Sequence, residues 1–401
     1  MMPIPLLRKI HSLSRCGKIP CCTLFVRCFV IAMFLLSSTA GQVMATSDDT
    51  YVEVQQLLDS GKIKEATALL KRRANDDTTD WHARNLLGNL ALARGDLKEA
   101  ERLYREAINC DPAQAELHNN LAILYLKSNQ GQKALQELLL AVQLEPENSE
   151  ALYNLSLIYR ANGKNEKALE YLQRSANSDP ANVKVQFELI SSLLSLGKLK
   201  EAAIQCQIVV DHYPDSADVR TDLGFLLLQY NLVDDAAGQF GKAANLNAKE
   251  PRAWYGLGLA ARRLGQADVA VQAFEKAVQL DGTQTDYLAD LGYTLLSRKT
   301  PDATQAAEKY LLQAVKAAPN NARSNYLLGL SYTESGNNQQ AVEYFTTAYG
   351  AGLRTPGFLL HYAKLLIAVG KRDDGRKVAN EMLSLPALTA EQKDAAEQLL
   401  R

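Results

Sequence analysis

Cysteine is scarce where it would count. Of the six in the chain, Cys16, Cys21, Cys22 and Cys28 fall within the first 45 residues, which leaves Cys110 and Cys206 in the body. Two distant thiols make no disulfide framework, so both are expected shielded and unpaired. The motifs of chemistry are missing as well. There is no HExxH, CxxC, P-loop or GxSxG elbow. The five histidines (His11, His82, His118, His212 and His361) lack the spacing of metal ligands. Gly256-Leu-Gly258 lacks the third glycine and the preceding strand of a dinucleotide site. Neither a catalytic residue nor a metal or cofactor is expected, and the chain does not read as an enzyme. A basic stripe is also missing. Removing the first 45 residues leaves 39 basic against 45 acidic residues, a balance that argues against nucleic-acid partners.

Long apolar runs are rare too. One occurs, Cys28–Leu36, and it is short for a bilayer span. It follows five basic residues (Arg8, Lys9, Arg15, Lys18, Arg27) with no acid before it, and Val43-Met44-Ala45 then places small residues at −3 and −1. Residues 1–45 are therefore read as an export signal cut after Ala45, which implies a periplasmic, envelope or secreted protein. An uncleaved membrane anchor and an organelle transit peptide are the alternatives. Any membrane contact is expected only through this segment.

What the sequence has instead is periodicity. Ala100, Ala134, Ala168, Ala202, Ala236, Ala270, Ala307 and Ala341 recur every 34 residues, with one step of 37 where "SRKTPDA" adds three. With these alanines at position 20 of a unit, leucine holds position 7 throughout, from Leu87 to Leu328. Position 8 is small in seven units and is Ile190 in the other; position 15 is glycine in five; proline closes five units at position 32. Positions 4, 7, 8 and 11 share one helical face, and 20, 24 and 27 share another. Where they occur, glycine ends the first helix of a unit and proline stops the second. Small residues at 8 and 20 let paired helices cross closely, while bulky ones at 7, 11 and 24 fill the flanks. In the longer unit Thr300 is placed to N-cap and Pro301 to open the helix, so the extra residues are expected to lengthen the turn.

"WYGLGLAARRLGQADVAVQAFEKAVQL" carries Trp254, Leu257, Gly258, Gly265, Ala270, Phe274 and Ala277 at spacings that resemble the tetratricopeptide repeat. The resemblance implies an all-α, right-handed superhelical solenoid of about ten helix-turn-helix units. A degenerate first unit is expected at 46–80, eight units at 81–355 with the insertion near 297–303, a degenerate last unit at 356–389, and a capping helix at 390–401. Thr389 with Gln392 forms the capping box of that helix.

In the family, positions 2, 5, 6, 9, 12 and 13 line a concave face. The resemblance therefore implies a partner-binding groove built from Asn85, Asn89, Asn120, Tyr153, Asn154, Phe187, Glu188, Asp222, Phe225, Tyr255, Asp290, Tyr293 and Tyr326. Asn120 and Asn154 are expected to grip a peptide backbone, since a carboxamide donates and accepts at once. The aromatics are expected as anchors, and the acids as a stripe suited to a neutral or basic extended segment of a protein. The chaperone-binding clamp of the family is not matched. Asn89 and Asn120 are in place, but Asn85, Glu150 and Asn154 replace its lysines and arginine, which disfavours a C-terminal carboxylate ligand. The basic clusters Lys71-Arg72-Arg73, Arg262-Arg263 and Lys371-Arg372 are read as solvated helix ends. Such exported arrays resemble assembly factors of pili, secretion systems or exopolysaccharide machinery. An accessory carbohydrate-binding subunit and a membrane-anchored or organelle adaptor are the alternatives.

Overall fold

The computed structural model describes residues 49–401. The segment read as an export signal, the cleavage expected after Ala45 and the four N-terminal cysteines lie outside the described residues. Among the described residues there are twenty-one α-helices and no strand, and no helix is long and apolar enough to cross a membrane. The chain divides into two compact units, one ending at His212 and one running from Tyr213 to Arg401.

The first unit holds five helix pairs. These are α1 (Asp49–Asp59) with α2 (Ile63–Asp76), α3 (Trp81–Ala93) with α4 (Leu97–Cys110), α5 (Ala115–Lys127) with α6 (Gly131–Leu144), α7 (Ser149–Ala161) with α8 (Asn165–Ser178), and α9 (Val183–Ser195) with α10 (Leu199–His212). The second unit repeats the scheme with α11 (Ala217–Gln229) and α12 (Val233–Leu246), α13 (Pro251–Arg263) and α14 (Ala267–Leu280), α15 (Thr285–Leu296) and α16 (Pro301–Ala317), α17 (Ala322–Glu334) and α18 (Asn338–Gly350), and α19 (Pro356–Ala368) and α20 (Arg372–Leu383). The last helix, α21 (Ala390–Gln398), packs on α20, and its N-terminus carries the reciprocal Thr389–Gln392 capping box. Most first helices begin on side-chain caps: Asp80 accepts from the Ala83 N–H, Asn148 from Ala151, Asn182 from Val185 and Asn321 from Ser324.

The turn inside each pair has one geometry and several residues. Position 15 is left-handed in all eight central pairs, at Gly95, Gly163, Gly197, Gly265 and Gly336 but also at Asn129 (φ 58°), Asn231 (φ 59°) and Lys299 (φ 52°). Asparagine tolerates that region; lysine is strained there. The three inserted residues do not lengthen the turn as expected. They extend helix α16 to 17 residues, where its counterparts have 12 to 14. Thr300 caps it by accepting from the Ala303 N–H, and Pro301 fills its first turn.

Within a pair, a large side chain at position 24 lies directly on position 8. A Cβ added to Gly88 would sit 2.6 Å from the Tyr104 ring, one on Gly224 2.7 Å from Phe240, and one on Gly258 2.5 Å from Phe274. Where position 8 is larger, position 24 is smaller: Ala122 stands with Leu138, Ser156 with Leu172, and Ile190 with Cys206. Ile190 is fully buried, so the apparent break in the repeat pattern is an exchange of volume between two helices. The position-20 alanines are all buried, as close crossing requires. Cys110 and Cys206 form no disulfide, and each is half-buried.

Candidate functional site

The first helix of each pair presents positions 2, 5, 6, 9 and 12 along one stripe, and the stripe is bonded from pair to pair. In the first unit Asn120 Nδ2 donates to Asn85 Oδ1 at 2.9 Å, and Asn85 Nδ2 donates to Glu116. One pair further, Asn154 Nδ2 donates to Asn119 Oδ1 at 2.8 Å, and Asn119 Nδ2 donates to Glu150 at 3.3 Å. In the second unit the Tyr255 hydroxyl donates to Asp290 at 2.7 Å, and the Tyr326 hydroxyl lies 2.8 Å from His361 Nδ1. All four links join position 5 of one pair to position 6 of the next, 35 residues along.

This corrects the expectation for the asparagines. Asn85, Asn120 and Asn154 are buried, and their amides tie neighbouring pairs together rather than standing open to a peptide. Asn89 is half-buried and accepts from the Tyr104 hydroxyl at 2.7 Å. Tyr153 is buried beneath the Lys184 ammonium, 5.0 Å from its ring centre. Burial, reinforced by the Glu188 charge, pushes its hydroxyl up to about 12.

The acids are a second correction, because each has its own arginine. Glu188 pairs with Arg160 at 2.7 Å, and Asp222 with Arg252 at 2.7 Å. Asp290 is buried and receives Arg262 at 2.5 Å, Arg323 at 2.6 Å and the Tyr255 hydroxyl. Burial alone would raise its carboxyl. The bond from Arg323 and the two guanidinium charges outweigh that and hold it below the usual carboxylate range. The stripe of the second unit is thus charge-balanced, not acidic. Arg262 is no mere solvated helix end; beyond Asp290 it lies 5.4 Å from the Tyr293 ring centre. Arg263 donates to the Leu228 carbonyl, and Arg73 bonds Asp80 in a buried contact with Tyr51.

What stays open on the stripe is a smaller set. Asp222 and Tyr293 are exposed, the latter at 46%, and Phe187, Phe225, Tyr255 and Tyr326 are half-buried. The Arg252 guanidinium lies 5.8 Å from the Phe225 ring centre, and Tyr326 rests on Phe345 and Phe358. Position 2 adds residues the site reading did not single out: Glu116, Glu150, Lys184, Arg252 and Arg323. Glu150, Lys184, Arg323 and His361 are all solvent-exposed. Yet desolvation is the largest single influence on each: it raises Glu150 and lowers Lys184 and His361, while at Arg323 the bond to Asp290 and that carboxylate's charge together outweigh it. Each unit thus has side chains along its first helices that water reaches while protein crowds them. Reading position 2 along with 5, 6 and 9 would have found these residues in the sequence.

Among the described residues no group of three or more His, Cys, Asp or Glu is placed to hold a metal ion. Family models match much of the body. Residues 243–351 match the TPR domain of cytochrome c-type biogenesis protein H, 88–129 match a TPR repeat, and 119–183 and 159–217 match a tetratricopeptide repeat. No curated protein matches the chain. Solved structures similar to it include MamA from Desulfovibrio magneticus RS-1, at 21% identity over 45% of this chain and 96% of that one, with a TM-score of 0.37. Another is TTC0263, a thermophilic TPR protein of Thermus thermophilus, at 20% identity over 46% of this chain and 99% of that one, with a TM-score of 0.38. On the repeat spacing, the paired helices and the family models that match them, the chain belongs to the tetratricopeptide repeat family.

Proposed function

We propose that the chain is a non-enzymatic scaffold that is exported, holds an extended segment of a protein partner along its first-helix stripe, and assists assembly of a cell-envelope complex. The observation that carries this reading is the row of accessible but desolvated side chains on the first helices, Glu150 and Lys184 in one unit and Arg323 and His361 in the other, beside the exposed Tyr293. Side chains so placed can contact a strand of chain without large rearrangement. The buried ladder beneath keeps them in register, so binding need not pay to order them.

The two units suit different stretches of the partner. In the first, Glu116 and Glu150 favour a neutral or basic stretch. In the second, the paired charges of Asp222, Arg252, Arg262, Asp290 and Arg323 favour none, and the aromatics supply the anchors. The match of 243–351 to the TPR domain of a biogenesis protein supports an assembly role. The basic, then apolar, then small-residue order of 1–45 supports export. Glu150→Lys and Tyr293→Ala in the full chain test the reading. Both are expected to lower partner capture about tenfold, one hot-spot contact each, with helicity retained. Capture that survives the pair together would remove the stripe as the binding face.

A further inference from the structure

Position 4 of the unit, which lies on the packing face, carries a recurring bond that periodicity does not explain. In three pairs it forms a triangle with the residue 19 places later and the carbonyl six places earlier. Arg220 donates to Gln239 Oε1 at 3.3 Å and to the Pro214 carbonyl at 2.9 Å. Gln186 donates to the Pro180 carbonyl at 3.4 Å and accepts from Gln205. His118 Nδ1 lies 2.7 Å from Glu137 Oε2, and its Nε2 lies 3.2 Å from the Pro112 carbonyl. Each triangle ties the turn before a first helix to that helix and to its partner helix. One latch is permanently charged, one is neutral, and one titrates.

The geometry at His118 sets its protonation. A carboxylate and a backbone carbonyl only accept, so both ring nitrogens must donate. The ring is buried, at 4% exposure, so neither bond can be replaced by water when a proton leaves. Other charges nearby bear on the pair less directly. Glu116 on α5 is bonded to Asn85 and feels Glu145 and Glu150 from the side of α7. From α4, Arg105 acts on Glu137 while paired with Glu101, which also feels Lys133 of α6.

We infer that His118, Glu137 and the Pro112 carbonyl form a proton-operated latch in the first unit, closed when the imidazole is cationic and opened by its deprotonation. His118 immediately precedes Asn119 and Asn120, so the latch fixes the helix that takes part in both links of the first unit's ladder. The bond to Glu137, larger than the opposing burial, raises the imidazole above its ordinary value. With the folded value above the unfolded one of about 6.5, the latch contributes in full below that pH and is lost as pH rises through the folded value.

The chain supplies its own control, because His118→Gln with Glu137→Gln rebuilds the neutral latch of Gln186 and Gln205. Thermal melts of the full chain from pH 5.5 to 9 are compared with those of the double variant. The wild-type midpoint is expected to fall by about 2–4 °C more than the variant's over that range. The comparison cancels His82 and His361, whose values burial lowers and which therefore act in the opposite sense. Parallel profiles overturn the latch. Should the double variant not fold, NMR titration of His118 in the wild-type chain decides: an apparent pKa above 6.5 is expected, and one at or below about 6.5 overturns the inference.

Discussion

Replacing Gly258 by alanine puts a methyl group where the Phe274 ring already sits. The new Cβ would lie 2.5 Å from Cδ1, 2.6 Å from Cε1 and 2.9 Å from Cγ, against about 3.5–4.0 Å for carbon atoms at ease. The ring must retreat by about 1 Å in a fully buried site. Overpacking of that order costs about 3 kcal/mol, the upper part of its range, and alanine's helix propensity returns about 1 kcal/mol. A net loss of about 2 kcal/mol follows. Phe274→Leu alone leaves a void and should cost about 1–2 kcal/mol. Together the two recreate a pairing the chain already uses, Ala122 with Leu138, so the double variant should lie within about 1 kcal/mol of wild type. Gly238→Ala is the control: nothing lies within 4 Å of its added Cβ, and it should stabilise by about 0.5–1 kcal/mol. Urea denaturation followed by helical circular dichroism reads all four. A double variant as unstable as the sum of its parts would refute the exchange of volume between positions 8 and 24.

Three further outcomes follow from the same structure. Lys299→Gly relieves a lysine held at φ 52° and should raise stability by about 0.5–1 kcal/mol, read in the same urea titration. Asp290→Asn leaves Arg262 and Arg323 without their shared carboxylate and should cost about 2–3 kcal/mol, less than a fully buried pair because both guanidiniums are partly solvated. The depressed Asp290 carboxyl also sets a sign: its contribution is present above the unfolded value of about 3.9 and is lost as pH falls through the folded one. Acid titration should therefore find wild type losing stability that Asp290→Asn does not have to lose. Ala202→Leu overpacks a crossing and should cost about 1–3 kcal/mol, whereas Lys200→Ala, on the exposed side of the same helix, should leave the melting point unchanged.

Much of this was legible in the residues, and the remainder has physical reasons. The alanine spacing carried the helix pairs, because a crossing constrains size at one place per unit. The exchange between Ile190 and Cys206 was also visible, as a size anticorrelation between two columns of the repeat. It looked like a defect only because each column was read alone. Asn129 and Asn231 announce the left-handed turn almost as plainly as glycine; Lys299 does not, and only the constancy of the turn explains it. The ladder was harder. Its bonds join residues 35 apart, one place out of step with the repeat, so a column-by-column reading sees two binding positions where the structure has one bond. Asp290 was hidden for a similar reason. Its charge is cancelled by Arg262 from one pair and Arg323 from another, and neither lies near it in sequence.

If the first helices, not the second, meet the partner, contact sites should follow that division. Photo-cross-linking in the native cell tests it directly, with a photoreactive residue placed singly at Glu150, Asp222 or Tyr293, and at Arg102 or Lys276 on second helices. Adducts to one and the same protein from the first three sites, and none from the last two, is the predicted result. Adducts confined to Arg102 and Lys276 would contradict it.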